Sequence, residues 1–178
     1  MRLPVRCLRA AAPLSLALAL GSCGAPANTF APACPIPGLV RPLTDLTRYQ
    51  GSSRDFRDLV VRARIVDVTG TCEPGDGQTT VVTVQVVVDV SRGPAMQGDA
   101  IGLPVFVAVA DSGQILDKTE FLLPVEFVHN VDAARAASKE VRMELPTSPQ
   151  KTAAAYQIIG GFQLTPQEVV EWRRNNTR

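Results

Sequence analysis

Few side chains in this 178-residue chain have the types and spacing that chemistry needs. There are four cysteines, Cys7, Cys23, Cys34 and Cys72, and each could be a thiol, half of a disulfide or a metal ligand. The only histidine, His129, stands in His129-Asn130-Val131-Asp132 between two apolar runs, where a solvated loop is expected. A Ser-His-Asp system would need a nucleophile beside it, and the chain has no G-x-S-x-G stretch. Glu120, Glu126, Glu140 and Glu144 could act as the acids and bases of a hydrolase. Each alternates with apolar neighbours, which places it on the outer face of a strand, in water. Glu73 and Asp76 lack the alternating carboxylates of a calcium loop and read as a turn. Gly160-Gly161 lies inside a strand pattern, so it marks a bulge or close packing rather than a phosphate loop. Zinc is disfavoured by a single histidine and by the lack of Cys-x-x-Cys spacing. No catalytic residue, no metal site and no cofactor is expected.

The segment before Cys23 gives that cysteine a different role. Arg2, Arg6 and Arg9 form a basic region, followed by the apolar run Ala10–Leu20. That run is too short to cross a hydrocarbon core, which needs about 20 residues. Basic then apolar then small is the order of a secretory signal. Leu20-Gly21-Ser22-Cys23 resembles the lipobox of bacterial lipoproteins. The resemblance implies removal of residues 1–22, with Cys23 the first mature residue, acylated (palmitate included) on sulfur and amino group. Several acyl chains hold a protein stably on a membrane, whereas a single one is marginal. The membrane is thus an expected partner, through Cys23. Gly24, rather than Asp, after the cysteine implies the outer membrane, with the protein on its periplasmic face. The pattern Ala25-Pro26-Ala27 offers a rival cut that would release a soluble periplasmic protein. Residues 23–33 then read as a lipidated start and flexible tether, and residues 24–33 reach about 33 Å at full extension. Residues 34–178 are expected to form a single domain.

Two cysteines remain in an oxidising compartment, and Cys34 and Cys72 read as a disulfide. Beyond residue 22 the chain keeps 156 residues, with 15 Lys and Arg against 17 Asp and Glu, a net charge of −2. The formal +1 of the whole chain comes from the three arginines of the leader. A near-neutral domain has no electrostatic footprint for nucleic acid.

The rest of the pattern is β. In residues 79–90, Val82, Val84, Val86, Val88 and Val90 share one face, the period of a half-buried strand. Upstream, Val61, Ala63 and Ile65 face inward, and Val68 falls out of phase unless a bulge near Val66 restores it. Glu73-Pro74-Gly75-Asp76-Gly77 turns between these strands. Further inward sets are Ile101–Val109, Phe121–Phe127, Val141–Leu145 and Tyr156–Leu164, and Asp111-Ser112-Gly113 marks a hairpin. That makes six strands, or seven with one in residues 36–50, where a helical turn is also open. Cys72 would lie in the loop after the strand that follows it. Without long helices between strands, an antiparallel β-sandwich is expected, most simply immunoglobulin-like, with a small barrel as runner-up. Pro104 suggests an edge strand open to strand addition. Gly102, Pro104, Ala108 and Ala110 leave one face bare for the helix or a partner. Thr165-Pro166-Gln167-Glu168 is a capping box that starts a short C-terminal helix, whose Trp172 would plug an open end of the sandwich.

Gly161-Phe162-Gln163-Leu164-Thr165-Pro166 resembles the end of the domain in small, poorly characterised envelope lipoproteins, a resemblance that carries no mechanism. The expected function is a non-catalytic binding or assembly module with an envelope protein partner. The alternatives are a wall-modifying hydrolase using carboxylates and a permanent structural subunit of an envelope complex.

Overall fold

A computed structural model describes residues 34–176 of the chain. The expected signal segment, Cys23 and the expected tether fall outside the described residues. Nine strands, two single-turn 3-10 helices and one α-helix build an all-β sandwich with a short C-terminal helix. In chain order the strands are β1 (Ile36–Leu39), β2 (Asp45–Tyr49), β3 (Leu59–Pro74), β4 (Thr79–Arg92), β5 (Ala100–Asp111), β6 (Gln114–Glu126), β7 (Ala133–Ala137), β8 (Val141–Pro146) and β9 (Gln157–Phe162). The helix α1 spans Pro166–Asn176.

One sheet runs β1-β9-β5-β6 and the other β2-β3-β4-β7, with β8 also pairing β4. All pairs are antiparallel except β1 with β9. In the immunoglobulin order, strands A, B, E and D share a sheet, so sequence neighbours are often split. Here β2, β3 and β4 follow one another as neighbours in one sheet, so the sandwich has a strand order of its own.

Alternation explains the core. Val82, Val84, Val86, Val88 and Val90 are all buried, facing Leu103, Val105, Val107 and Val109 of the other sheet in one apolar cluster. The bulge falls at Val66: the register with β4 shifts between Ile65 and Asp67, Val66 turns to solvent, and Val68 enters the core. Residues 36–50 supply two strands, and no helix forms there. The Asp111–Gln114 hairpin turns through Ser112 and Gly113, both at positive φ, as a two-residue hairpin requires.

Three expectations are corrected. Pro104 does not mark an edge, because β5 lies between β9 and β6. Its carbonyl accepts from the Gln163 amide at 2.9 Å, so its polar edge faces the β9 side, just past the end of β9 at Phe162. The missing N–H forgoes the reciprocal bond to Gln163, and the ladder with β9 ends at Phe162. The outer face of β5 is not bare: Phe106 lies on it, 6 % exposed, with the Lys118 ammonium 4.6 Å from its ring centre. Cys72 lies within β3, opposite Val82, rather than in a loop. It is bonded to Cys34 as expected, with Cα atoms 6.3 Å apart, and so ties the start of β1 to the other sheet.

The glycine pair is a packing device. A Cβ on Gly160 would stand 2.7 Å from Val68 Cγ2, and one on Gly161 2.6 Å from the Phe106 ring. Gly160→Ala should therefore lower stability by about 1–3 kcal/mol in urea denaturation. Gly102→Ala, whose nearest neighbour would be 3.9 Å away, should change it little. Reducing the Cys34–Cys72 bond should cost about 2–4 kcal/mol in the same measurement.

Candidate functional site

The sequence candidates for chemistry do not converge. His129 is exposed in the turn closed by the Val131 amide on the Val128 carbonyl, 2.9 Å. Glu120, Glu126, Glu140 and Glu144 are exposed on three separate stretches of strand and loop. Glu73 and Asp76 flank the β3–β4 turn, and Glu73 pairs with Arg142 at 3.6 Å. Among the described residues no group of three or more His, Cys, Asp or Glu could hold a metal ion.

Two concave sites among the described residues bear on function. The first lies between α1 and β2. The capping box forms reciprocally: the Thr165 amide donates to Glu168 Oε2 at 2.7 Å and the Glu168 amide to Thr165 Oγ1 at 3.3 Å. Glu168 also accepts from Arg48 Nε at 3.0 Å, and Glu171 pairs with Arg54, so two ion pairs hold the helix against β2. The cleft between them, about 310 Å³, is walled by Asp45, Leu46, Tyr49, Arg62, Leu164 and Trp172. Trp172 thus joins Leu46 and Leu164 in lining this cleft. Burial alone would push the Glu168 carboxyl up, but the Thr165 amide and the Arg48 guanidinium outweigh it and hold it below the ordinary glutamate value. Asp89 is held down by a hydrogen bond from Arg135, and Asp111 by one from Lys151. These are the shifts of structural ion pairs, opposite in sense to the raised carboxyl of a general acid.

The second site is an apolar groove of about 620 Å³ between the last strands of the two sheets. Phe121 and Leu123 of β6 form one wall and Val141 of β8 the other, with Lys139, Glu140 and Arg142 at the rim. A bulge shapes it. β7 and β8 are two pieces of one edge, both pairing β4, and Ser138 sits at their junction. Its amide donates to the Val86 carbonyl at 2.9 Å and its hydroxyl accepts from the Val86 amide at 3.0 Å. The same hydroxyl donates to the Lys139 carbonyl at 2.7 Å, and Gln85 Nε2 donates to the Ser138 carbonyl at 2.8 Å. A buried serine therefore replaces a ladder residue, and Lys139 and Glu140 swing out to the rim.

The β6 wall is also a sheet edge. Since Pro104 points its polar groups at the β9 side, its partner Leu122 points its own away from β5, as do Glu120, Lys118 and Pro124. Proline has no donor, and the Lys118 amide is taken by Asp117 Oδ1 at 2.8 Å. Glu120 and Leu122 keep outward N–H groups with no strand partner among the described residues. Leu122 is 71 % exposed. Sequence reasoning missed this site. It looked for the free edge at Pro104, and it read neither the exposed first half of β6 nor the alanine-rich β7 as strand. The one usable signal was Pro124, a second proline in a strand pattern.

Comparison with family models, with curated proteins and with solved structures finds no match to this chain.

The α1 site yields a pH prediction. A depressed carboxyl stabilises the fold fully above its unfolded value, about pH 4.3, and loses that contribution as the pH falls through the lower folded value. Trp172 emission should therefore report helix release on acidification below about pH 4. Glu168→Gln should remove this acid transition and cost about 1 kcal/mol at neutral pH, the worth of one cap interaction with a partly exposed ion pair.

Proposed function

We propose that the protein is a lipid-anchored module of the cell envelope that binds a partner protein through the β6–β8 groove. The observation that carries this reading is the pairing of an apolar groove with two unpaired backbone donors on the same edge. An extended segment laid beside β6 would bond to Glu120 and Leu122 and drop alternate apolar side chains between Phe121, Leu123 and Val141. The address rests on the lipobox-like Leu20-Gly21-Ser22-Cys23, which implies acyl chains on Cys23 and attachment to the outer membrane on its periplasmic face. A permanent structural subunit would use the same groove and differ only in lifetime.

A carboxylate hydrolase has less support. The three acids beside the α1 cleft, Asp45, Glu168 and Glu171, are each paired with an arginine: Arg64, Arg48 and Arg54. Glu168, the one of the three whose carboxyl is held down, is a poor proton donor.

Photo-cross-linking in native membranes tests the proposal. A photoreactive residue at position 122 or 141 should capture one stoichiometric envelope protein, and one at exposed Arg62, on the outer face of the other sheet, should capture none. Leu122→Pro removes one edge donor without breaking a ladder bond. It should weaken capture roughly fivefold, the worth of a hydrogen bond of about 1 kcal/mol. Capture that is scattered over abundant proteins, or unchanged by Leu122→Pro, would sink the groove reading. Survival of the complex through stringent washing would favour the permanent subunit.

A further inference from the structure

The most exposed large apolar side chain among the described residues is not in the groove. It is Ile36, at 79 %, two positions after the disulfide that pins Cys34. Val40 is 41 % exposed and Leu39 44 %. Ile36, Pro37 and Val40 join Tyr156 and Ile159 around a shallow apolar depression of about 370 Å³. Arg41, the next residue, is exposed and has no acidic partner among the described residues. Bare aliphatic side chains edged by an unpaired guanidinium match one environment closely. At a bilayer surface the aliphatic groups enter the acyl boundary and the cation meets lipid phosphate.

The position of the patch says which surface covers it. Cys23 lies 11 positions before Cys34, and residues 24–33 reach at most about 33 Å. β1 is the first element after that stretch, and the disulfide fixes where the chain enters the fold. A short link holds the bilayer at high effective concentration around β1 and around no other apolar patch so directly. We propose that the β1 face, through Ile36, Val40 and Arg41, rests on the surface of the membrane that holds Cys23. The inference rests on the lipid-anchor reading given above. It adds an orientation: β6 is the far edge of the same sheet, beyond β9 and β5, three strand spacings or about 14 Å away. The groove is then turned away from the bilayer and open to a partner.

The test uses the full acylated chain, purified from membranes and reconstituted in vesicles of phosphatidylethanolamine and phosphatidylglycerol. Its intact mass is measured first. Fluorophores are attached singly through Ile36→Cys, Val40→Cys, Leu122→Cys or Glu140→Cys, all at accessible positions. Quenching by nitroxides carried on the lipids should be several-fold stronger at 36 and 40 than at 122 and 140. Arg41→Glu should reduce quenching at 36, and more so in vesicles rich in phosphatidylglycerol. Equal, weak quenching at all four positions of an acylated protein would overturn the inference and leave the binding-module reading standing. Shielding at 36 and 40 from an aqueous quencher only with cell-wall sacculi or envelope proteins present, and not with lipid alone, would also overturn it. A mass without acyl chains would overturn the anchor and the orientation together.

Discussion

The contact between Val68 and Gly160 sets how closely the two sheets approach. Gly160 leaves no room for a Cβ, because Val68 occupies that space. Val68 reaches it only because the chain gains one unpaired residue at Val66, which returns the strand to phase after Ile65. If Val66 took a regular place in the ladder, Asp67 would face the core and Val68 would point to water. Gly161 performs the same service on the outer side, where Phe106 folds over it. β9 is therefore thin on both faces and fits between β1 and β5. It stops at Phe162, so the pairing that Pro104 cannot complete falls just beyond its end.

The sandwich has four edges, and they are treated differently. An exposed edge invites pairing with other chains, and folded proteins usually cover, shorten or interrupt it. α1 lies beside the β2 edge, linked to β2 and the loop after it by the Arg48–Glu168 and Arg54–Glu171 pairs. The β1 edge is four residues long and tied down through Cys34. The β7–β8 edge is broken at Ser138, whose side chain occupies the Val86 amide. The β6 edge is guarded by Pro124 on one side and by the Asp117 carboxylate on the Lys118 amide on the other. Between those guards only Glu120 and Leu122 are open. An edge left open over so short a window resists indiscriminate aggregation yet admits a short extended segment, the economy expected of a specific docking strand rather than of a design oversight.

What could be read from the sequence follows from the range of the forces involved. Valine alternation in β3 and β4 is local, and it predicted both strands, the inward faces and the bulge at Val66. The capping box is local too, and Thr165 and Glu168 bond as expected. The Cys34–Cys72 bond was legible from the cysteine count and the expected oxidising compartment. Strand order was not, because it depends on which edges meet, and alternation is silent about partners. β7 escaped notice because Ala-Ala-Arg-Ala-Ala has little β propensity. It is a strand through its register with Val87–Ser91, and the Arg135–Asp89 ion pair lies across that register. The groove escaped for the same reason. It is made where β6, β7 and β8 converge from positions far apart in the chain, and none of its residues has a chemistry that announces a site.

The two ends of the β1-β9-β5-β6 sheet carry opposite properties, and that asymmetry gives the fold a direction. At β1 the backbone is short and tied, and its side chains are bare and aliphatic beside a free cation. At β6 the backbone itself is the open feature, and the nearby apolar side chains are drawn into a groove. A surface that meets lipid needs no backbone donors, since lipid tails offer nothing to accept them. A surface that meets an extended protein segment needs them, because they fix its direction and register. The open donors and groove at β6 suit an extended segment, and the bare aliphatic side chains beside Arg41 at β1 suit a lipid surface. Sequence order then adds the remaining piece: the edge proposed to meet lipid is the one nearest Cys23 along the chain.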